Sequence, residues 1–108
     1  MPGVLIYRIE APLIFANADI IADDLRSKVD SGEHRAVVLD FEAVYEIDTE
    51  GVDTLLRLHE QLHDRGITTV LARTHGDVLD YLKRDDGLDQ LGPNATFGTV
   101  RDAVDSVT

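Results

Sequence analysis

The sequence contains no cysteine. This absence excludes disulfide bonds, thiolate nucleophiles and zinc or iron–sulfur sites built on cysteine. Basic residues are scarce as well: 10 lysines and arginines stand against 21 aspartates and glutamates, which gives a formal net charge of −11. A surface of that sign repels phosphate backbones and anionic lipid headgroups, so the composition argues against a nucleic-acid-binding protein.

Long hydrophobic runs are also missing. The longest apolar stretches, Val4–Tyr7, Leu13–Ala16 and Ala36–Leu39, have the length of strands, whereas a membrane-spanning helix needs roughly 20 apolar residues. We therefore expect no direct membrane insertion of this chain. Its N-terminus lacks the basic and hydrophobic regions of a secretion signal. A chain of 108 residues, 44% of them hydrophobic, suits one globular domain with its own core.

The hydrophobic pattern alternates between strands and helices. Short apolar and β-branched runs predict strands at Val4–Glu10, Leu13–Ala16, Ala36–Phe41 and Ile67–Ala72. Amphipathic patterns predict helices capped by Asn17 and Asp48, a helix over Asp77–Arg84, a loop over Gly87–Asn94 and a last helix over Thr99–Val107. The helix that begins at Asp48 should run to Arg65 and be closed by Gly66. The order β-β-α-β-α-β-α-α predicts a single α/β domain over residues 1–108. Because two strands open the chain in succession, we expect an antiparallel pair, and hence a mixed β-sheet with helices packed against it.

The string from His59 to His63 (HEQLH) matches the HExxH pattern of zinc proteases, in which two histidines one turn apart hold the metal. At about 100° per residue, both histidines fall within an apolar stripe centred on Val52. They would then face the sheet instead of an open cleft, and His34 and His75 lie in other segments. We expect the match to be accidental and predict no metal site.

Acidic residues crowd the segment that spans the third predicted strand, the following loop and the next helix start: Asp40, Glu42, Glu46, Asp48, Glu50 and Asp53. No lysine or arginine lies among them. One interpretation is a site for a divalent cation, which prefers oxygen ligands. The interpretation we favour is that Asp48 caps the helix, Glu50 and Asp53 offset the positive end of its dipole, and the others are solvated surface.

Catalytic and phosphate-binding patterns are missing from the sequence. Neither GxGxxG nor GxxxxGK(S/T) occurs, and no serine stands in a nucleophile-elbow context. We therefore expect no catalytic residue, no cofactor and no enzyme activity.

Several strings resemble one family of domains. Residues 12–18 (PLIFANA) resemble the start of the STAS domain in SulP-family anion permeases, where a strand ending in Phe-Ala-Asn leads into the first helix. Residues 37–41 (VVLDF) followed by residues 47–52 (IDTEGV) resemble the family's central strand, loop and second helix. Shorter matches at Arg65–Ile67 and Phe97–Val100 extend the resemblance over essentially the whole chain.

This resemblance implies a fold like that of STAS domains and anti-sigma factor antagonists, together with a non-catalytic role. The chain would be the C-terminal cytosolic portion of a longer sulfate or related anion transporter, at the cytoplasmic face of the cell membrane. It would regulate transport through contacts with the transporter's own membrane domain, or through a homodimer formed by the parent protein. The start of the sequence, Pro2-Gly3-Val4-Leu5, resembles the interior of a longer chain.

The resemblance also implies a regulatory turn, formed by Asp48, Thr49, Glu50 and Gly51. In stand-alone STAS antagonists of the sporulation type, a serine at the position of Glu50 is phosphorylated. Glutamate accepts no phosphate and is permanently charged, so we expect a fixed-charge contact surface here unless Thr49 substitutes as the acceptor. The resemblance also implies weak nucleotide binding near the turn. The crowded acidic residues make such binding electrostatically unfavourable unless Mg²⁺ bridges the carboxylates and the nucleotide. A stand-alone anti-anti-sigma-like switch or nucleotide sensor remains the alternative function.

Overall fold

The computed structural model describes residues 3–84 and 86–108, in which strands and helices alternate. The elements are β1 (Val4–Arg8), α1 (Ala18–Asp30), β2 (Ala36–Asp40), α2 (Thr49–Asp64), β3 (Thr68–Ala72), α3 (Gly76–Arg84), α4 (Gly87–Leu91), β4 (Thr96–Phe97) and α5 (Val100–Ser106). The predicted single α/β domain is confirmed.

The sheet has the strand order β1-β2-β3-β4, and its three pairings are all parallel. The prediction of a mixed sheet is therefore wrong for the described part of the chain. Leu13–Ala16 forms no strand, because only Leu13 makes an isolated parallel bridge, to Ile47. The amide of Ala18 then donates to the carbonyl of Ile14 at 2.8 Å. This turn directs the chain into α1 before a second strand can pair with β1.

β2 and β3 occupy the centre of the sheet, as predicted, and all five residues of β2 are buried. Successive side chains of a strand point to opposite faces, so β2 contributes to two cores. Val37 and Leu39 pack in the larger core with residues of α1, α2, α3 and α4. Val38 packs with Val70 and with Val104 of α5 in a smaller core. Four helices thus cover one face of the sheet, and one short helix covers the other.

The ends of α2 are formed as the sequence predicts. The Asp48 side chain accepts a hydrogen bond from the amide of Gly51 at 2.8 Å, which caps the first turn. Gly66 ends the helix at φ +77°, and its amide donates to the carbonyl of His63 at 2.9 Å. Asn17 precedes α1 but does not cap it. Its side chain accepts instead from the amide of Ile14 at 3.1 Å.

Two short elements, α4 and β4, lie outside the predicted helices and strands. α4 occupies the first half of the predicted loop over Gly87–Asn94 and buries Leu91. β4 pairs its two residues with Leu71 and Ala72 of β3. A helix of five residues and a strand of two are too short to show a hydrophobic period in the sequence. These elements therefore depend on contacts with the rest of the fold.

Candidate functional site

The predicted regulatory turn lies at the edge of the sheet where the parallel strands end. Loops at the carboxyl ends of parallel strands commonly carry the functional residues of α/β domains. Here the β2–α2 connection, which contains Asp48 to Gly51, runs beside residues 12–18 of the β1–α1 connection. The amide of Leu13 donates to the carbonyl of Glu46 at 2.9 Å, and the Leu13 carbonyl accepts from the amide of Asp48 at 3.3 Å.

Asp48 joins these two connections with its two carboxylate oxygens. Oδ1 caps α2 at the amide of Gly51, and Oδ2 accepts from the amide of Phe15 at 2.9 Å. The hydrogen bonds from Phe15 and then from Gly51 lower the pKa of Asp48, because both stabilise the ionised form. The Asp48 side chain therefore adds to the backbone hydrogen bonds that join the two strings that resemble STAS sequences.

Gly51 permits the close approach of these connections. A β-carbon at this position would lie 2.0 Å from the carbonyl oxygen of Leu13 and 2.8 Å from its carbonyl carbon. Both are backbone atoms that cannot rotate away, so residue 51 needs to be glycine for α2 to pack where it does.

Thr49 and Glu50 are the exposed members of the turn. The hydroxyl oxygens of Thr49 and of Tyr81, on α3, are 3.0 Å apart and share a hydrogen bond. No lysine or arginine among the described residues forms an ion pair with Glu50. The fixed charge of Glu50 is therefore available to a partner, and its role in regulation stays a prediction.

Two of the crowded acids have basic partners that are distant in sequence. Arg8 at the end of β1 and Arg73 after β3 flank Asp40 at the end of β2. Arg73 binds both oxygens of Asp40 at 3.1 and 2.5 Å and contacts Glu42 at 2.6 Å. Arg8 lies 3.2 Å from Asp40 and 3.1 Å from Glu42. These carboxylates bind arginines, so the divalent-cation interpretation loses two of its proposed ligands.

Asp40 remains ionised although it is only 4% exposed. Burial alone would raise the pKa of Asp40, but hydrogen bonds from Arg73, the Glu42 amide and Arg8, together with the charge of Arg73, outweigh it and lower the pKa. The backbone of Arg73, whose side chain binds Asp40, has a left-handed conformation with φ 58°. That conformation is uncommon for a residue with a side chain, and the two-oxygen contact with Asp40 helps to hold it.

The sequence contained a signal for this cluster that the mixed-sheet prediction obscured. In the parallel register, Arg8 is opposite Asp40, and Asp40 is opposite Ala72, directly before Arg73. Charged residues that end three neighbouring parallel strands necessarily meet at one edge.

The same edge carries aromatic residues that no sequence pattern had placed there. The Nε2 atom of His75 is 2.5 Å from the carbonyl oxygen of Glu42. The ring of His75 stacks on the ring of Tyr45, and the two ring centroids are 4.4 Å apart. Tyr45 is nonetheless 72% exposed. The loop between β2 and α2 is therefore fixed at both ends, by the arginine cluster and by Asp48, and it presents an aromatic ring to solvent.

The family of the chain follows from comparison with known proteins. A model of the STAS domain matches residues 1–103. The chain belongs to the STAS domain family. Sulfate transporter 3.1 of Arabidopsis thaliana is 32% identical over 117 residues, which cover 98% of this STAS domain and 18% of the plant protein. The domain spans about a fifth of the length of the curated relatives it matches.

Solved structures of similar chains share the fold of this STAS domain. A sulfate transporter family protein from Wolinella succinogenes superposes with a TM-score of 0.84 at 25% identity, covering 99% of the domain and 86% of that chain. The murine anion transporter Slc26a9 in the inward-facing state contains a similar region, with a TM-score of 0.87 and 26% identity over 99% of the domain and 18% of that chain. Within residues 3–84 and 86–108 of the STAS domain, no helix has the length and apolar character needed to span a bilayer.

The structure corrects the predicted positions of the HExxH histidines. The buried residues of α2 centre its apolar face on Leu55 and Leu62, roughly 60–80° from the assumed centre at Val52. His59 is consequently half-buried at the margin and His63 is exposed, so the prediction that both face the sheet is wrong. Burial, followed by the nearby His63, lowers the pKa of His59. The rings are 6.2 Å apart, and the described residues include no cluster of three metal-ligating side chains.

We expect this STAS domain to retain no stoichiometric zinc after dialysis, because a zinc site needs further protein ligands beyond two histidines. Metal analysis of the dialysed protein checks this expectation. His59→Ala should lower the free energy of unfolding by about 1 kcal/mol through lost packing, and His63→Ala should leave it nearly unchanged. One equivalent of zinc that disappears in His59→Ala would contradict the prediction.

Proposed function

We propose that this STAS domain is a non-catalytic cytosolic regulatory domain of a sulfate or related anion transporter. The observation that carries the proposal is the connection at Asp48, which fixes residues 12–18 against the turn containing Glu50. The domain supplies a rigid, charged surface on which a partner could bind. The sulfate transporters to which it is similar are about five times longer, which leaves room for a membrane domain as that partner.

Regulation would act through the fixed charge of Glu50. A phosphoserine at this position carries nearly two charges and three acceptor oxygens, whereas glutamate carries one charge at all times near neutral pH. The contact surface would therefore remain in one electrostatic state, without a kinase to switch it. The turn is a poor site for a nucleotide, because the exposed carboxylates of Glu46 and Glu50 would repel its phosphates. Neither carboxylate forms an ion pair with a described lysine or arginine.

Glu50→Lys in the intact transporter should change the rate of sulfate uptake at least roughly threefold, because charges at the rim of an interface control association. The measurement is uptake of labelled sulfate into membrane vesicles, with transporter amounts matched. The STAS domain carrying Glu50→Lys should remain folded and melt at most a few degrees lower, since the side chain is exposed and only its charge in the first turn of α2 is changed.

Asp105→Lys is a matched control, because it makes the same charge change at an exposed position of α5. Uptake should be unaffected by this variant. Equal uptake in both variants and the wild type would reject the regulatory role of the turn. A parent reading frame that encodes no membrane-spanning segment would favour the alternative, a stand-alone switch.

A further inference from the structure

Large apolar side chains are exposed mainly at the end of the domain that carries the regulatory turn. Among the described residues, Phe15, Ile20 and Tyr45 are 76%, 70% and 72% exposed and belong to the β1–α1 connection, the first turn of α1 and the β2–α2 connection. The remaining large exposed apolar residue, Ile6, lies in the middle of β1. Grouping of exposed apolar side chains with a polar rim is typical of a protein–protein contact.

A cleft lies beside these residues and adds a specific chemistry. It has a volume of about 180 Å³ and is lined by Tyr45, Tyr81 and apolar residues that include Ile47. Glu46 and Asp77 also line it. Arg84 of this chain already lies over the ring of Tyr81, 5.7 Å from its centroid. The exposed ring of Tyr45 and the two carboxylates nevertheless favour a further cationic side chain, because the ring attracts a cation over its face and the carboxylates accept its hydrogen bonds.

The cleft is held in shape by contacts on both sides. Thr49 and Tyr81 share a hydrogen bond, and the ring of His75 stacks on Tyr45. Through Thr49, the cleft adjoins Asp48 and, through Asp48, the exposed Phe15. The cleft and the exposed apolar residues thus lie at the same end of the domain, and together we define them as the docking surface: Phe15, Ile20, Tyr45, Glu46, Asp77 and Tyr81.

Charge selects among the possible occupants of the docking surface. Glu46 and Asp77 form no ion pair with a lysine or arginine in the described part of the chain. A second copy of a domain with net charge −11 would bring like charges together, and anionic lipid would be repelled for the same reason. A basic partner with an apolar contact area complements both features.

We propose that the docking surface binds a basic segment at the cytosolic face of the parent transporter's own membrane domain, with an arginine or lysine in the tyrosine-lined cleft. This inference rests on the proposed function and names the surface through which it acts. Cytosolic loops of membrane proteins carry an excess of lysine and arginine, so the required partner chemistry lies next to a tethered domain. Tethering raises the effective concentration, so a modest contact is sufficient.

Cysteine accessibility tests the proposal in the intact transporter, with any native cysteines of the membrane domain replaced. The STAS domain itself contains none, so Ala16→Cys places a single thiol next to Phe15. We expect maleimide to label Ala16→Cys at least about tenfold more slowly in the intact transporter than in the STAS domain alone, because a docked partner excludes the reagent. Asp105→Cys, on α5, should be labelled equally fast in both. High salt should reduce the protection at Ala16→Cys, since salt screens surface charges.

Second variants connect the protection to the cleft. Tyr45→Ser and Glu46→Lys, each added to Ala16→Cys, should restore fast labelling, whereas Ile6→Ser should not, although it also removes an exposed apolar side chain. Thermal melts of the isolated variants exclude unfolding as the cause.

Fast labelling of Ala16→Cys in a transporter that takes up sulfate would overturn the assignment of the surface while leaving the proposed function intact. Protection that appears in the isolated domain and increases with its concentration would overturn it in favour of a second copy. Protection that survives both Tyr45→Ser and Glu46→Lys would overturn the role of the cleft. Absence of any membrane-spanning segment in the parent would instead reject the proposed function itself.

Discussion

Gly51→Ala should destabilise the domain by about 3 kcal/mol, at the upper end of the cost of overpacking a core. The added methyl group would lie 2.0 Å from the carbonyl oxygen of Leu13, far inside van der Waals contact. Relief requires α2 to move away from the β1–α1 connection, which would strain the hydrogen bond between Asp48 and the amide of Phe15. Urea unfolding followed by circular dichroism measures the change in the free energy of unfolding.

Gly76→Ala is the matched control for this substitution. Gly76 begins α3, and a β-carbon there would meet no atom within 4 Å. Alanine is favoured over glycine in a helix, so this variant should be as stable as the wild type or more stable by up to about 1 kcal/mol. Equal stability of Gly51→Ala and the wild type would show that the two connections are not fixed against each other, which would weaken the case for a rigid contact surface.

Asp40→Asn should lower the free energy of unfolding by about 2 kcal/mol. It removes the charge that binds Arg8 and Arg73 and directs an amide donor toward a guanidinium. Breaking a fully buried ion pair costs about 3–5 kcal/mol, and the arginines here are more than a third exposed, so solvent screening reduces the cost.

The effect of Asp40→Asn should depend on pH. The folded-state pKa of Asp40 is lowered, so the ionised carboxylate contributes stability above its unfolded-state pKa of about 3.9. That contribution disappears as the pH falls through the folded-state pKa. The stability difference between the wild type and the variant should therefore be constant near neutral pH and shrink below about pH 4.

Asp30→Asn is the control for a surface pair. Asp30 contacts Arg65 at 2.9 Å, and both side chains are at least half exposed. This variant should change the free energy of unfolding by less than about 0.5 kcal/mol at any pH. An effect of Asp40→Asn as small as that of Asp30→Asn would mean that the arginine cluster contributes little to the fold.

Much of the fold could be predicted from patterns among residues that are close together in the sequence. The buried strands at Ala36–Phe41 and Ile67–Ala72, the cap at Asp48 and the glycine end at Gly66 were all predicted, because each has a local physical cause. The direction of strand pairing has no such local cause. Leu13–Ala16 has the composition of a strand, and only the turn at Ile14 and the pairing of β1 with β2 show that it is not one.

The candidate site was predictable to the same extent. The turn from Asp48 to Gly51 was found through its resemblance to the STAS family, and only the cap at Asp48 follows from the local sequence pattern. The partners of that turn, Tyr81 and the amide of Phe15, are more than 30 residues away along the chain. They become neighbours only through the parallel topology.

The two faces of the sheet have unequal cover, which has a consequence for local unfolding. α5 has seven residues and is the only helix of the described chain in the smaller core, whereas four helices share the larger one. Free energies of local opening follow the buried apolar contacts of a segment. α5 should therefore detach before the rest of the domain unfolds, and its amide hydrogens should exchange with solvent sooner than those of β2. The predicted regulatory turn is flanked by Ile47 and Val52 of the larger core, so its geometry would survive such an opening.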